Sequence, residues 1–167
     1  MIIRELDPSS APSLRNLREL VDVTGTLGSI TEREAALRLE TIDALLRPPF
    51  ETLGGEVDGV LVGAATLSLM PDDPLDPDVG DWFAISGVLV HPRFGNRGYG
   101  RKLMDMCLAL AGSRGARGVC LEVNVPNPFA LRLYESLGFE AWSTSENAYE
   151  RGGQVFDRVS MRKWVNP

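Results

Sequence analysis

One stretch constrains this chain more than any other: Val88-Leu89-Val90-His91-Pro92-Arg93-Phe94-Gly95-Asn96-Arg97-Gly98-Tyr99-Gly100-Arg101-Lys102-Leu103-Met104. It starts as an aliphatic, β-branched strand, stops at Pro92 and passes through Gly95, Gly98 and Gly100. It resumes as a helix whose apolar positions Leu103, Met104, Cys107, Leu108 and Ala111 recur at helical spacing. The pattern predicts a strand, a glycine-rich turn and a helix. The three glycines are expected to admit positive φ and to keep side chains out of a ligand's way. The first N–H groups of such a helix have no intrahelical acceptor, and the positive end of its dipole lies with them, so the turn can cradle an anion. Arg93, Arg97, Arg101 and Lys102 concentrate positive charge here, in a chain whose formal net charge is −6.

The glycine spacing separates classes of phosphate binder. Gly95-x-x-Gly98-x-Gly100 is not the G-x-G-x-x-G of a dinucleotide-binding turn, and the chain has no G-x-x-x-x-G-K loop. Residue type alone leaves open an ordinary βα connection with solvated arginines. The segment resembles the acetyl-CoA-binding motif of the GCN5-related N-acetyltransferases (GNAT), which is Gln or Arg followed by x-x-G-x-G/A after a strand ending V-x-P. The matching residues are Val90-His91-Pro92 and then Gly95 to Gly100, with Gly95 standing where the family carries Gln or Arg. The family holds the diphosphate mainly through backbone amides, so the resemblance implies a cradle that Gly95 weakens and does not abolish.

With 167 residues, 44% of them hydrophobic, the chain suits a single domain over residues 1–167 around one core, which the resemblance implies is an N-acetyltransferase domain. Its acidity argues against nonspecific nucleic-acid or anionic-membrane binding, which draws on Lys and Arg meeting phosphates. A cationic partner such as an amine suits it better. Cys107 and Cys120 fall among apolar residues and read as two buried thiols in a reducing compartment. Two cysteines without spaced histidines supply too few ligands for zinc, so neither a metal site nor a disulfide is expected. No basic segment leads into an apolar signal core and no apolar run reaches the length of a membrane span, so a cytoplasmic location is expected.

Ile2 to Leu6 reads as a first strand, and Asp7-Pro8-Ser9-Ser10 as the turn that caps helix one, whose face carries Leu14, Leu17, Leu20 and Val21. A break is expected at Gly25-Thr26-Leu27-Gly28-Ser29, a mobile segment of the kind that lines substrate entrances. Thr31-x-x-Glu34 is a capping box opening a second helix that ends at Pro48-Pro49. Strands from Phe50 to Val57 and from Gly59 to Leu69 join through an Asp58-Gly59 hairpin turn. Pro71 to Asp81 reads as a stiff, acidic, proline-rich loop without calcium-site spacing. A strand from Trp82 to Val90, with Gly87 as a bulge candidate, feeds the glycine turn, and after helix three a strand from Val119 to Asn124 lies parallel to it through a βαβ crossover. A short helix follows, then a hairpin, Glu140 to Ser145 and Val155 to Trp164, around a polar link containing Gly152-Gly153.

The short helix has strong terminal signals: Asn127 as N-cap, Pro128 at the first helical position and Gly138 past the end. The same stretch resembles the family's second motif, N-x-x-A-x-x-x-Y-x-x-x-G-F, at each fixed position: Asn127, Ala130, Tyr134, Gly138 and Phe139. Together the resemblance implies an α/β (α+β) fold, with a mixed, mostly antiparallel sheet splayed between the Trp82–Val90 and Val119–Asn124 strands and flanked by helices. It implies that the backbone of Val88, Leu89 and Val90 pairs with the pantetheine arm of acetyl-CoA. Amides of Gly95, Asn96, Arg97, Gly98, Tyr99, Gly100 and Arg101 would cradle the diphosphate, Asn127 would bond the arm, and Tyr134 would stand beside the sulfur as general acid.

The implied reaction transfers acetyl from acetyl-CoA to a primary amine by direct attack through a tetrahedral intermediate, without a metal. A phenol can support the departing sulfur, and a second group must take the amine's proton. Glu122 is the first candidate for that base. Its Leu-Glu-Val strand and its place twelve positions before Tyr134 resemble the ribosomal-protein Nα-acetyltransferase branch, from which Asn124-Val125-Pro126 then departs. Residue type also allows Glu122 to pair with an arginine at the sheet edge, leaving Asp81, Glu56 or a water chain as base. His91, the single histidine, reads as a solvated turn residue. The acceptor, on a small molecule or a protein, is expected to contact the Gly25–Ser29 and Ser145–Gln154 segments, where Glu146 and Glu150 suit a cation. No nucleic-acid or membrane partner is expected, a homodimer stays open, and the rival reading is a nonenzymatic acyl-CoA sensor on the same fold.

Overall fold

The computed structural model describes residues 1–7, 10–26, 46, 49–70, 82–151 and 154–165. Its strands are β1 (Ile2–Glu5), β2 (Phe50–Val57), β3 (Val60–Leu69), β4 (Trp82–Val90), β5 (Gly118–Asn124), β6 (Glu140–Arg151) and β7 (Gln154–Trp164). The described helices are α1 (Ala11–Thr26), α2 (Tyr99–Ser113) and α3 (Pro128–Ser136), with one 3-10 turn at Pro92–Phe94. The strands form one sheet in the order β1-β2-β3-β4-β5-β7-β6. The β4–β5 pair is parallel, while β1–β2, β2–β3, β5–β7 and β6–β7 are antiparallel. This is the mixed, mostly antiparallel sheet that the family resemblance implies. Its parallel ladder pairs Trp82–Ile85 with Gly118–Leu121 and does not extend to the last residues of either strand, as a splayed sheet requires.

The chain divides into two compact units, Met1–Ser68 with Gly87–Cys107 and Leu69–Ser86 with Leu108–Pro167. In the first, Leu17, Leu20 and Val21 recur on one face of α1 and are buried with Leu6, Leu46, Leu61, Ala64 and Leu89. The Ser10 hydroxyl accepts from the Ser13 N–H at 3.4 Å, so the expected cap starts the helix. The helix runs on through Gly25 and Thr26, where a break was expected. Gly25 falls in the last turn of α1, where a glycine costs at most about 1 kcal/mol relative to alanine, and the turn before it is fixed by buried Val21 and by Thr24, whose hydroxyl donates to the Val21 carbonyl. The expected helix from Thr31, Leu27–Ser29 and the acidic Pro71–Asp81 loop lie outside the described residues. The β2–β3 turn has φ 50° at Asp58 and 78° at Gly59, the two left-handed residues of a tight hairpin. Gly63 on β3 admits a close neighbour: a Cβ there would lie 2.8 Å from Leu103 on α2 and 3.0 Å from the Leu89 carbonyl oxygen.

In the second unit β5 alternates. Val119, Leu121 and Val123 are buried, with Phe139 and Met161 also in the core, while Cys120, Glu122 and Asn124 face the other way. β6 continues to Arg151 and β7 begins at Gln154, so residues 146–151, expected in a link, are strand. The ladder shifts register between Ser145 and Tyr149, where Asn147 has φ 52° and its N–H donates to the Asp157 carboxylate at 3.0 Å. That side-chain acceptor replaces a ladder carbonyl, and pairing then resumes from Tyr149↔Phe156 to Arg151↔Gln154.

Candidate active site

The first unit carries the glycine turn. Gly87 has φ 60°, a left-handed conformation within β4, after which Val88 and Val90 are half-buried and Leu89 is buried. The His91 N–H donates to the Val62 carbonyl at 2.8 Å, ending the strand. His91 has a structural task that residue type did not indicate: Nδ1 accepts from the Arg93 N–H at 3.1 Å and the ring meets Phe94 edge-on at 5.5 Å. Gly95 does not take positive φ. It sits at φ −59°, its N–H bonded to the Pro92 carbonyl. Gly100 is helical. The left-handed residues of the turn are Asn96 at φ 56° and Gly98 at φ 75°. Asparagine tolerates this region better than other side chains, and that tolerance is the signal by which Asn96 could have been found.

The Lys102 N–H donates to the Gly98 carbonyl at 3.1 Å, so the α2 ladder begins there and the Tyr99 and Gly100 amides precede it. Arg97 stacks over Phe94 with 5.4 Å between guanidinium carbon and ring centroid, and Lys102 lies 6.0 Å from the Tyr99 centroid. The Phe94 and Tyr99 rings are themselves 6.4 Å apart. Two aromatic rings thus steady two of the cations. The donor set fits a diphosphate: a long helix begins here, a Cβ at Gly98 would meet nothing within 4 Å, and Arg93, Arg97, Arg101 and Lys102 are exposed.

The second unit carries Asn127, Tyr134 and Glu122. Asn127 Oδ1 accepts from the Ala130 N–H at 3.1 Å, which caps α3 and leaves the amide NH2 as the part of the side chain that can meet a ligand. At the other end the Phe139 N–H donates to the Tyr134 carbonyl and the Gly138 N–H to that of Glu135, with Gly138 at φ 83°. This is a Schellman cap, and its accompanying apolar contact is the Tyr134–Phe139 ring pair, 6.0 Å between centroids. Tyr134 is buried.

Glu122 keeps 59% of its side chain exposed and pairs with Arg158, Nη1 to Oε2, at 3.2 Å. Arg158 Nε also donates to Asn124 Oδ1 at 3.1 Å. The arginine pairing that residue type allowed is therefore present, and Arg158 is the residue that sequence reading missed: only the β5–β7 register, Asn124 opposite Arg158, brings it there. A Cβ at Gly138 would lie 2.9 Å from Lys163 Nζ, and Lys163 pairs with Val119. The end of α3 thus covers the Val119 face of β5, and Glu122 points from the opposite face. Of the other base candidates, Glu56 is engaged by Arg4 at 2.6 Å and Asp81 lies outside the described residues. Cys107 is buried, which raises its pKa to about 12. Cys120 is only half-buried, where burial and then the Glu122 charge raise it to about 11. Both remain thiols at neutral pH, ill suited to act as nucleophiles.

Residues 15–139 match the acetyltransferase (GNAT) family, a span that holds both motifs. The chain belongs to the GNAT family. It is 36% identical over 81 residues to the ribosomal protein bS18-alanine N-acetyltransferase of Salmonella typhimurium, covering 48% of this chain and about half, 55%, of that enzyme's length. It is 29% identical over 155 residues to the phosphinothricin N-acetyltransferase of Streptomyces viridochromogenes, covering 89% of this chain and 81% of that one. Among solved structures, the ribosomal-protein-S18-alanine N-acetyltransferase from Escherichia coli matches this GNAT chain with a TM-score of 0.80 at 19% identity, over 99% of this chain and 94% of that one. The yncA protein of Salmonella typhimurium, solved with its cofactor acetyl-CoA, matches with a TM-score of 0.79 at 22% identity, over 100% and 95%. These likenesses show the fold. No described helix is long and apolar enough to cross a membrane.

Proposed function

We propose that this GNAT chain, as one catalytic domain, transfers the acetyl group of acetyl-CoA to a primary amine. The observation that carries the reading is the turn at Asn96 and Gly98, left-handed at both residues, opening α2 amid four exposed cations. Amides from Asn96 to Arg101 receive the diphosphate, the Gly95 N–H being held by the Pro92 carbonyl; the backbone of Val88, Leu89 and Val90 pairs with the pantetheine arm, and the Asn127 NH2 holds that arm. Acetyl-CoA supplies the activated thioester. Glu122 takes the amine's proton, directly or through one water, and Tyr134 donates to the departing thiolate.

The acceptor is an amine. The names of two relatives point to an alanine of a ribosomal protein and to phosphinothricin, so both protein and small-molecule amines belong in the test. A positively charged acceptor suits the chain's acidity. Calorimetry with acetyl-CoA, then thiol release over an amine panel followed by mass spectrometry, should give binding and turnover. Tight binding without turnover on any amine would establish the sensor reading instead, and absence of binding would refute both.

A further inference from the structure

The Glu122 carboxylate is held from one side only. Arg158 stands opposite Asn124 in the β5–β7 ladder and diagonal to Glu122, which itself faces Ser160. Its guanidinium spans both neighbours, Nε to Asn124 Oδ1 at 3.1 Å and Nη1 to Glu122 Oε2 at 3.2 Å. Two donors of one planar group are thereby fixed, so Asn124 sets the plane of the guanidinium and the guanidinium sets the position of the carboxylate. Such a device is unneeded for stability, because an ion pair exposed to this degree contributes little. An unrestrained glutamate at this exposure would instead sample several rotamers and lose the alignment a proton transfer needs. Oε2 is occupied by Arg158, and Oε1 is the oxygen left to solvent.

We propose that Arg158 is a positioning residue for acetyl transfer, oriented by Asn124, holding Glu122 Oε2 so that Oε1 receives the proton of the attacking amine. The inference rests on Glu122 acting as the base. In that step the nitrogen lone pair forms the bond to the acetyl carbon as the carbonyl π pair moves to oxygen, the amine N–H bond breaks with its proton passing to Oε1 directly or through one water, and return of the oxygen pair breaks the C–S bond to release the thiolate, which Tyr134 protonates. Lysine at 158 supplies charge without the planar fork, so it can replace Arg158 only in part.

The test measures kcat, KM for the amine and acetyl-CoA affinity for Glu122→Gln, Arg158→Ala, Arg158→Lys and the Arg158→Ala/Glu122→Gln double variant. Arg158→Ala should lower kcat about tenfold, the lower end of what a hydrogen bond to a charged group is worth. It should leave acetyl-CoA affinity unchanged, and Arg158→Lys should recover part of the rate. Methylguanidine added to Arg158→Ala should restore activity, while in the double variant, no slower than Glu122→Gln alone, it should restore none. A wild-type rate in Arg158→Ala, losses that multiply in the double variant, or rescue of the double variant would overturn the assignment and leave Glu122 as base. A wild-type rate in Glu122→Gln would overturn the base reading and the Arg158 role with it. Should Arg158→Ala fail to fold, Asn124→Ala decides. It should slow kcat in the wild-type background and not in Glu122→Gln, and equal effects in both would refute the proposal.

Discussion

Replacing Gly98 with alanine separates binding from backbone strain, because two other glycines provide matched controls. Gly98, Gly59 and Gly115 have φ 75°, 78° and 79°, and a Cβ at each would meet nothing within 4 Å. Alanine therefore introduces the same perturbation at all three, an L-residue in the left-handed region, costing about 1–2 kcal/mol, without a clash in the free protein. For a chain of this size each such kcal/mol lowers Tm by roughly 2–4 °C, so all three variants should melt lower by similar amounts. Only Gly98 lies in the turn proposed to receive the diphosphate. Acetyl-CoA affinity measured by titration calorimetry should fall at least about tenfold, or ~1.4 kcal/mol, in Gly98→Ala, and stay unchanged in Gly59→Ala and Gly115→Ala. Equal affinities in all three variants would refute the cradle. So would a loss at Gly115 matching that at Gly98, since strain alone would then account for it.

Glu122→Gln should slow kcat/KM at neutral pH and recover as pH approaches the amine's own pKa, near ~8 for an α-amine and ~10.4 for a lysine, whereas the Tyr134→Phe defect should persist across that range. A Glu122→Gln profile superimposable on wild type would exclude that carboxylate. Asn127→Ala should lower stability by about 1 kcal/mol through loss of the cap and weaken acetyl-CoA binding, while Asn127→Asp keeps the capping oxygen and replaces the NH2 donors with a negatively charged oxygen. Binding retained in Asn127→Asp would remove the residue from the cofactor site. Cys120, raised to about 11, is only ~10⁻³ thiolate at pH 8 in the folded protein, so a thiol reagent should label it far more slowly than in urea. Because both cysteine pKa values rise on folding, the neutral thiols' contribution to stability is complete below the ordinary value of 9.0 and is lost as pH climbs toward 11 and 12. A Tm independent of pH between 8 and 11 would contradict that burial.

Local signals were legible where short-range chemistry decides the conformation. Pro92, Asn127-Pro128 and Gly138 each act on their own neighbours, and the strand, turn and helices they bound stand where the pattern put them. The β4–β5 pairing was legible too, since a strand, a helix and a strand joined by short turns leave few arrangements. What residue type could not supply was anything fixed by register across the sheet. Arg158 lies thirty-six positions from Glu122, and only the antiparallel β5–β7 ladder brings them together. The β6–β7 hairpin was underestimated for a similar reason: Asp157 reaches across to the Asn147 amide and lets a polar, irregular segment stay in the ladder. The glycine turn failed in one detail, because three glycines suggested three left-handed residues where the helix start at Tyr99 requires one and Asn96 supplies the other.

The second motif mixes residues that build α3 with residues that can do chemistry, and its geometry tells them apart. Asn127 caps the helix through its oxygen, Gly138 supplies the left-handed residue, and Phe139 closes the end against the Tyr134 ring. Each would be required of a short helix in a protein with no catalytic role. Tyr134 differs, because phenylalanine would keep the ring contact with Phe139. Tyr134→Phe therefore keeps the ring packing and removes only what the hydroxyl itself contacts. Tyr134→Phe should keep its stability within ~1 kcal/mol of wild type and still bind acetyl-CoA, while kcat falls. A variant that folds, binds and turns over normally would leave Tyr134 a core residue and require another donor for the thiolate.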